Sequence, residues 1–216
     1  MPRAWAASQT RHRVHRRLNK IDNREAELRI GISRWRYAGW RGKFYPESLP
    51  HRHELEFVSG VFNSIEINGS LYSLQRPSSY QRWYSATPAD FLFTVKGGRF
   101  ITHMKNLRDI ETPLANFFGS GVLALREKIG PILWQLPPNL AVDPERLRSF
   151  LELLPRNTKQ ASDLAAKHNE KLKARAFLKI DPAAAGRPLR YAFDVRHPSF
   201  MTADSLNYCD DATLHS

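Results

Sequence analysis

An α/β fold built on a parallel sheet is what this sequence predicts, and three observations predict it. Short apolar runs alternate with helical stretches, the chain order that yields parallel strands joined by helical crossovers. Most of those runs are bounded by turn or cap signals. The chemically capable side chains fall at the carboxyl ends of the runs, where a parallel barrel gathers its active-site loops. At 216 residues, 42% hydrophobic and 25% charged, the chain has the size and make-up of one ordinary globular domain.

The elements follow in order. "LRIGIS" (28–33) reads as a first strand, followed by an aromatic, glycine-punctuated loop, "RWRYAGWRGKFYPESLP". "HELEFVSGVF" suits a helix, with Leu55, Val58 and Phe62 spaced for one face. "NSIEIN" alternates with period two and is the second strand. "PSSYQRWYSAT" opens with Pro77 and two serines, a helix start. "FLFTVK" (91–96) is the third strand. "NLRDIETPLANFFGSGVLALREK" is helical but is expected to break at Pro113, Gly119 and Gly121. "GPILWQ" (130–135) is the fourth strand, stopped by Pro137 and Pro138. "DPERLRSFLELLP" is a helix with Asp143 as cap and Pro144 in its first turn, turning Leu147, Phe150, Leu151 and Leu154 inward. A second, polar helix is expected over about 158–174, and "YAFDV" (191–195) is the fifth strand.

Composition narrows the class. No apolar run has the length that crosses a bilayer, so no membrane partner is expected. The arginine-bearing start has no apolar core behind it and is a poor secretory signal. The single cysteine, Cys209, has no partner for an internal disulfide, and a cytoplasmic location follows. The formal net charge is +12, which favours anionic partners. Part of the excess is local. Residues 1–27 carry Arg3, Arg11, Arg13, Arg16, Arg17, Lys20 and Arg24 against Asp22, Glu25 and Glu27, a segment expected to be a basic disordered tail. Such a tail is either an arm that touches phosphates or a solubilising extension before a barrel domain over 28–216. There is no G-x-G-x-x-G after the first strand, no Walker sequence and no C-x-x-C, so the main dinucleotide, NTP and thiol signatures are excluded.

The candidate site comes from strand ends. The second strand ends in Glu66 and Asn68. The third ends in Lys96, followed by Gly97, Gly98, Arg99 and His103. The fourth ends in Gln135, and the fifth carries Asp194 and runs into Arg196 and His197. Each residue also has a plainer reading. Glu66 can be a structural ion pair with Lys96 or Arg196. Asn68 before Gly69 reads as a turn, and the glycine pair after Lys96 either cradles an anion through backbone N–H groups or simply turns the chain. His103 and His197 can be satisfied loop histidines, and Gln135 can hydrogen-bond neighbouring backbone. Trp35, Tyr37, Trp40 and Tyr45 form either a stacking platform or a lid.

The segments "RIGISRWRYAGWRGKFYP", "SIEINGSLYSLQRPSSYQRW", "TPADFLFTVKGGRFITH", "EKIGPILWQLPPNLAVDPERLRSFLELLP" and "YAFDVRHPSF" resemble, in order and spacing, those of the YecE-like family, domain of unknown function 72. The resemblance covers residues 28 to about 200. It implies a TIM-barrel-like (β/α) fold with these segments lining the open face, and it brings no established reaction. The family usually has Gly and Trp where this chain has Arg34 and Trp35, and Glu where it has Asp194. The family also continues through later strands that have no counterpart in "MTADSLNYCDDATLHS". A closed barrel takes about 250 residues and eight strands. Five are recognisable here, so the expectation is an incomplete barrel, truncated at its C-terminal end.

Three functions compete on this reading. The first is an enzyme acting on a sugar phosphate or phosphodiester, with Glu66, Lys96, Asp194 and His197 in the chemistry. Asn68, Tyr72, Arg99, His103, Gln135, Arg196, Trp35 and Trp40 would bind the substrate. A divalent metal held by the carboxylates and histidines is an option, without any HxxxH-like spacing to support it. The second is a nucleic-acid-binding module, resting on the basic tail, the net charge and the loop tryptophans. The third is an inactive, shortened copy.

Overall fold

This computed structural model describes residues 28–172 and 175–202. The basic segment 1–27 and the stretch carrying Cys209 lie outside the described residues. Each of the five expected runs forms a strand: β1 Gly31–Ser33, β2 Ser64–Ile67, β3 Leu92–Lys96, β4 Ile129–Gln135 and β5 Tyr191–Asp194. They make one parallel sheet in the order β1-β2-β3-β4-β5. A sheet wound in chain order through right-handed crossovers keeps its helices on one face and turns the other inward, which is the TIM-barrel-like arrangement.

Burial shows which face is which. Ile65, Ile67, Phe93, Val95, Ile132 and Trp134 are buried against the helices. Their alternates Glu66, Thr94, Lys96, Leu133 and Gln135 stand on the opposite, half-buried face. Between β3 and β4 the register slips, Phe93 pairing with Ile129 but Val95 with Ile132. The extra residue falls at Gly130-Pro131, where proline has no N–H to give the ladder.

The helices are α1 Glu54–Ser59, α2 Pro77–Ser85, α3 Glu111–Gly119, α4 Pro144–Leu153 and α5 Thr158–Ala165. Asp143 caps α4 as expected, accepting from the Arg146 amide at 3.2 Å. Two expectations need correction. Pro113 does not break α3: it lies in the first turn, where its missing N–H has no intrahelical acceptor anyway. The break comes after α3, at Gly121, whose φ of 114° is closed to most side chains and whose Cα faces Pro77. The polar helix is also shorter than 158–174. Beyond Ala165 the Lys167 and His168 amides turn back to Leu164 O and Ala165 O at 3.0 and 3.1 Å, and the Asn169 amide then leaves the helix to donate to Asn116 Oδ1 at 3.1 Å.

Core packing centres on Trp134, fully buried, with Phe117 and Phe150 at ring distances of 5.5 and 5.2 Å. Among the described residues no helix is long and apolar enough to cross a membrane.

Candidate site at the strand ends

Parallel register places the site. Ser33 on β1 pairs with Glu66 on β2, which pairs with Thr94 on β3. Lys96 lies two residues further along β3, so its side chain leaves the same face. Lys96 Nζ stands 3.4 Å from Glu66 Oε1, and Ser33 Oγ donates to that same oxygen at 3.2 Å. Asn68 Nδ2 in turn donates to Ser33 Oγ at 2.6 Å. The amide, hydroxyl and carboxylate therefore form a short directed chain that ends on one oxygen of Glu66. The other oxygen, Oε2, has no partner among the described residues. The side chains of Glu66 and Lys96 keep only 23% and 15% of their exposure, so the pair is sheltered from bulk screening but remains open to a ligand.

Gln135 and Asp194 are register partners at the ends of β4 and β5, on the same inward face. Gln135 makes no side-chain hydrogen bond among the described residues, so the backbone-bonding alternative does not hold there. Asp194 accepts from Arg196 at 3.0 and 3.4 Å. Two strands separate Glu66 from Asp194, and each carboxylate has its own cation. Burial, then the guanidinium groups of Arg99 and Arg196, lower the His103 pKa below the usual histidine value. Its Nδ1 pairs with Thr102 Oγ1 at 2.8 Å. Arg99 also stands over the Tyr72 ring, 5.9 Å from its centroid. Glu66, Lys96 and Asn68 are thus in direct contact or one residue apart in the chain of bonds, with Arg99 and Arg196 as a cationic flank on either side of His103.

Other predicted site residues have structural roles. Trp35 packs edge-on against Trp83 of α2 at 5.5 Å. Trp40 packs among Tyr37, Phe44 and Tyr45 at 4.4, 5.0 and 5.9 Å. Both rings are partly buried and pack against the hydrophobic core, so part of each ring's surface is already taken up by protein neighbours. His197 Nδ1 accepts from the Ser199 amide at 3.2 Å and pairs with Ser199 Oγ at 2.8 Å. It caps the turn Pro198–Met201, so its Nδ1 is engaged within its own loop. Gly97 is there for packing, since a Cβ on it would lie 2.1 Å from two ring carbons of Trp134. Ser33 was missed by sequence reasoning. It is the last residue of "LRIGIS", and the strand-end rule applied to the first strand would have found it.

The departure at Arg34 also has a physical consequence. Its φ is 64°, the left-handed region in which glycine is unstrained. Its amide donates to the backbone carbonyl of Glu66 at 3.0 Å, so the strained residue is tied to the strand that carries the carboxylate.

Among the described residues no three His, Cys, Asp or Glu side chains are close enough to share an ion, and the nearest charged neighbour of Glu66 is a lysine.

The model of the family described as "Protein of unknown function DUF72" matches residues 29–214. UPF0759 protein YecE of Escherichia coli (strain K12) is 30% identical over 129 residues, 58% of this chain and 44% of that protein. UPF0759 protein YunF of Bacillus subtilis (strain 168) is 25% identical over 115 residues, 50% of this chain and 39% of that protein. Among solved structures, a DUF72 family protein from Thermotoga maritima MSB8 superposes with a TM-score of 0.60 at 21% identity, covering 87% of this chain and 63% of its own. One from Enterococcus faecalis V583 gives 0.56 at 12% identity, covering 87% and 61%. These matches span less than half the length of the curated relatives and just over three fifths of the solved ones. At those identities the solved structures speak to the fold alone.

Proposed function

The chain belongs to the DUF72 family, and on that premise we propose that its inward strand-end face binds a phosphorylated ligand, with Glu66 as the proton-accepting group. The ligand class is a sugar phosphate or a phosphodiester. One observation carries the reading: Glu66 is oriented through Oε1 by Ser33 and Lys96 while Oε2 is left without a partner among the described residues. A carboxylate held by one oxygen and free at the other is arranged to take a proton from a bound hydroxyl or water. The cationic flank supplies the reason for an anion. Among the described residues Arg99 has no carboxylate partner, and His103 is held toward its neutral form by burial and then by the two arginines beside it. A bound phosphate would neutralise that local excess. Asp194 acts in this scheme as a positioning residue that aims Arg196, and Gln135 offers an unpaired amide to the ligand's hydroxyls.

Calorimetric titration with ribose 5-phosphate tests the reading. Lys96→Met and Arg99→Met should each weaken binding about tenfold, the loss of one charge-assisted contact. Glu66→Gln should bind at least as tightly, since it removes a negative charge near the phosphate, yet lose any turnover that 31P NMR detects in the parent chain. Equal affinity in the parent and both cation variants would refute the site.

A further inference from the structure

Beside the strand ends, and sharing Arg99 with them, a groove of about 580 Å³ opens between the helical turn Gly69–Tyr72, the turn Phe100–Met104, α3 and the segment around Asn169. Its volume is that of a small-molecule site. Large apolar side chains line it and remain in water: Tyr72 is 70% exposed, Met104 62% and Phe100 42%. Each ring is accompanied by a cation. Arg99 lies 5.9 Å from the Tyr72 centroid and Lys171 Nζ lies 5.4 Å from that of Phe100. Among the described residues neither cation has an ion-pair partner. The groove also presents amides. Asn116 Nδ2 donates to Asn169 Oδ1 at 3.1 Å, and that same oxygen receives the Lys171 amide. The Asn169 side-chain nitrogen is left with no acceptor among the described residues.

Exposed rings, unpaired cations and a free amide donor converge on one chemistry. A flat heteroaromatic ring stacks on Tyr72 or Phe100, an attached phosphate meets Arg99 and Lys171, and the ring's polar edge takes the Asn169 donor. A bare sugar phosphate meets the rings only through its C–H face and gains less from them than a flat base does, and a purely apolar ligand has no use for the cations. We propose that this groove is a nucleobase subsite, so that the phosphorylated ligand of the strand-end face is a nucleotide. The proposal deepens the reading above and rests on it only through Arg99. A free mononucleotide and a nucleotide within a single strand carry the same chemistry, and the test separates them.

Four probes are titrated into the full chain: AMP, ribose 5-phosphate, adenosine and a short single-stranded oligouridylate. The variants are Tyr72→Ala, Lys171→Met and Lys96→Met. Tyr72 and Lys171 are exposed, so their substitution leaves the fold intact. AMP should bind at least tenfold more tightly than ribose 5-phosphate, and Tyr72→Ala should remove that margin while leaving ribose 5-phosphate unchanged. Lys171→Met should weaken AMP but not adenosine. Binding of the oligouridylate that depends on Tyr72, with AMP silent, also supports the subsite and assigns the ligand to a strand. Equal affinity for AMP and ribose 5-phosphate, insensitive to Tyr72→Ala, overturns the base subsite and leaves the phosphate site standing. AMP binding that depends on Tyr72 but not on Lys96 keeps the groove and removes the strand-end reading. No binding by any probe removes both.

Discussion

Replacing Gly97 by alanine should destabilise the protein by about 3 kcal/mol, although the residue looks from the sequence like half of a flexible glycine pair. The magnitude follows from geometry. The added Cβ would lie 2.1 Å from Cε3 and Cζ3 of Trp134, roughly 1.4 Å inside the ~3.5 Å at which carbon atoms meet. The ring has nowhere to move, because it is fully buried with Phe117 and Phe150 packed on it. The backbone cannot yield freely either, since the Gly97 amide donates to Leu133 O at 2.9 Å and ties β3 to β4. Overpacking of this kind costs about 1–3 kcal/mol, and a rigid ring opposing a hydrogen-bonded backbone belongs at the upper end. For a chain of this size that lowers the unfolding midpoint by about 6–12 °C. Gly98 is the control: nothing crowds its Cβ position closer than Ser70 O at 3.8 Å, so Gly98→Ala should stay within about 1 kcal/mol of the parent. Tryptophan fluorescence during thermal and urea unfolding reads both variants. Coincident midpoints for Gly97→Ala and Gly98→Ala would refute the packing argument and return the pair to the role of an anion cradle.

Arg34→Gly should raise stability by about 1 kcal/mol, because it relieves a left-handed residue, offset in part by losing the guanidinium 4.9 Å above the Tyr37 ring; urea unfolding measures it, and a lower midpoint would contradict the strain. Burial and two nearby arginines depress the His103 pKa in the folded state, so the folded chain binds that proton less readily than the unfolded one. The contribution to stability is complete above the unfolded value of 6.5 and is lost as pH falls through the lower folded value. Arg196→Met should move the imidazole titration, followed by NMR, up toward 6.5, and saturating phosphate should do the same in the parent. A titration indifferent to both would separate His103 from the cationic flank. His197→Ala should cost about 1 kcal/mol through the lost cap on Pro198–Met201 and leave ribose 5-phosphate affinity unchanged, since its acceptor nitrogen is occupied by Ser199; a tenfold loss of affinity would give it a direct role.

What the sequence shows of this fold is what local patterning can carry. "SIEI" and "FTVK" alternate with period two, and the structure buries the apolar member of each pair against the helices. The carboxyl ends of the strands carry the ionisable groups, and parallel register alone then sets Ser33, Glu66 and Thr94 side by side. Helix ends are equally legible where a side chain does the capping, as with Asp143. The length of α5 was not legible, because the chain that leaves its end is held by the side-chain amide of Asn116 in α3, more than fifty positions before Asn169.

The tryptophans illustrate the same limit at the site. A loop that reads "RWRYAGW" offers rings at a barrel mouth, and composition alone favours stacking on a ligand. The outcome depends on Trp83, which α2 brings to within 5.5 Å of Trp35, and on Phe44 and Tyr45, which enclose Trp40. A buried aromatic contact contributes on the order of a kcal/mol beyond its area, so rings that can reach one another inside the fold do so. The rings left for a ligand are therefore those with no such neighbour in reach. Tyr72 and Phe100, on short turns beside cations that have no ion-pair partner among the described residues, meet that condition; the sequence puts Tyr72 among the binding candidates, whereas Phe100, within "GGRFITH", carries no such signal.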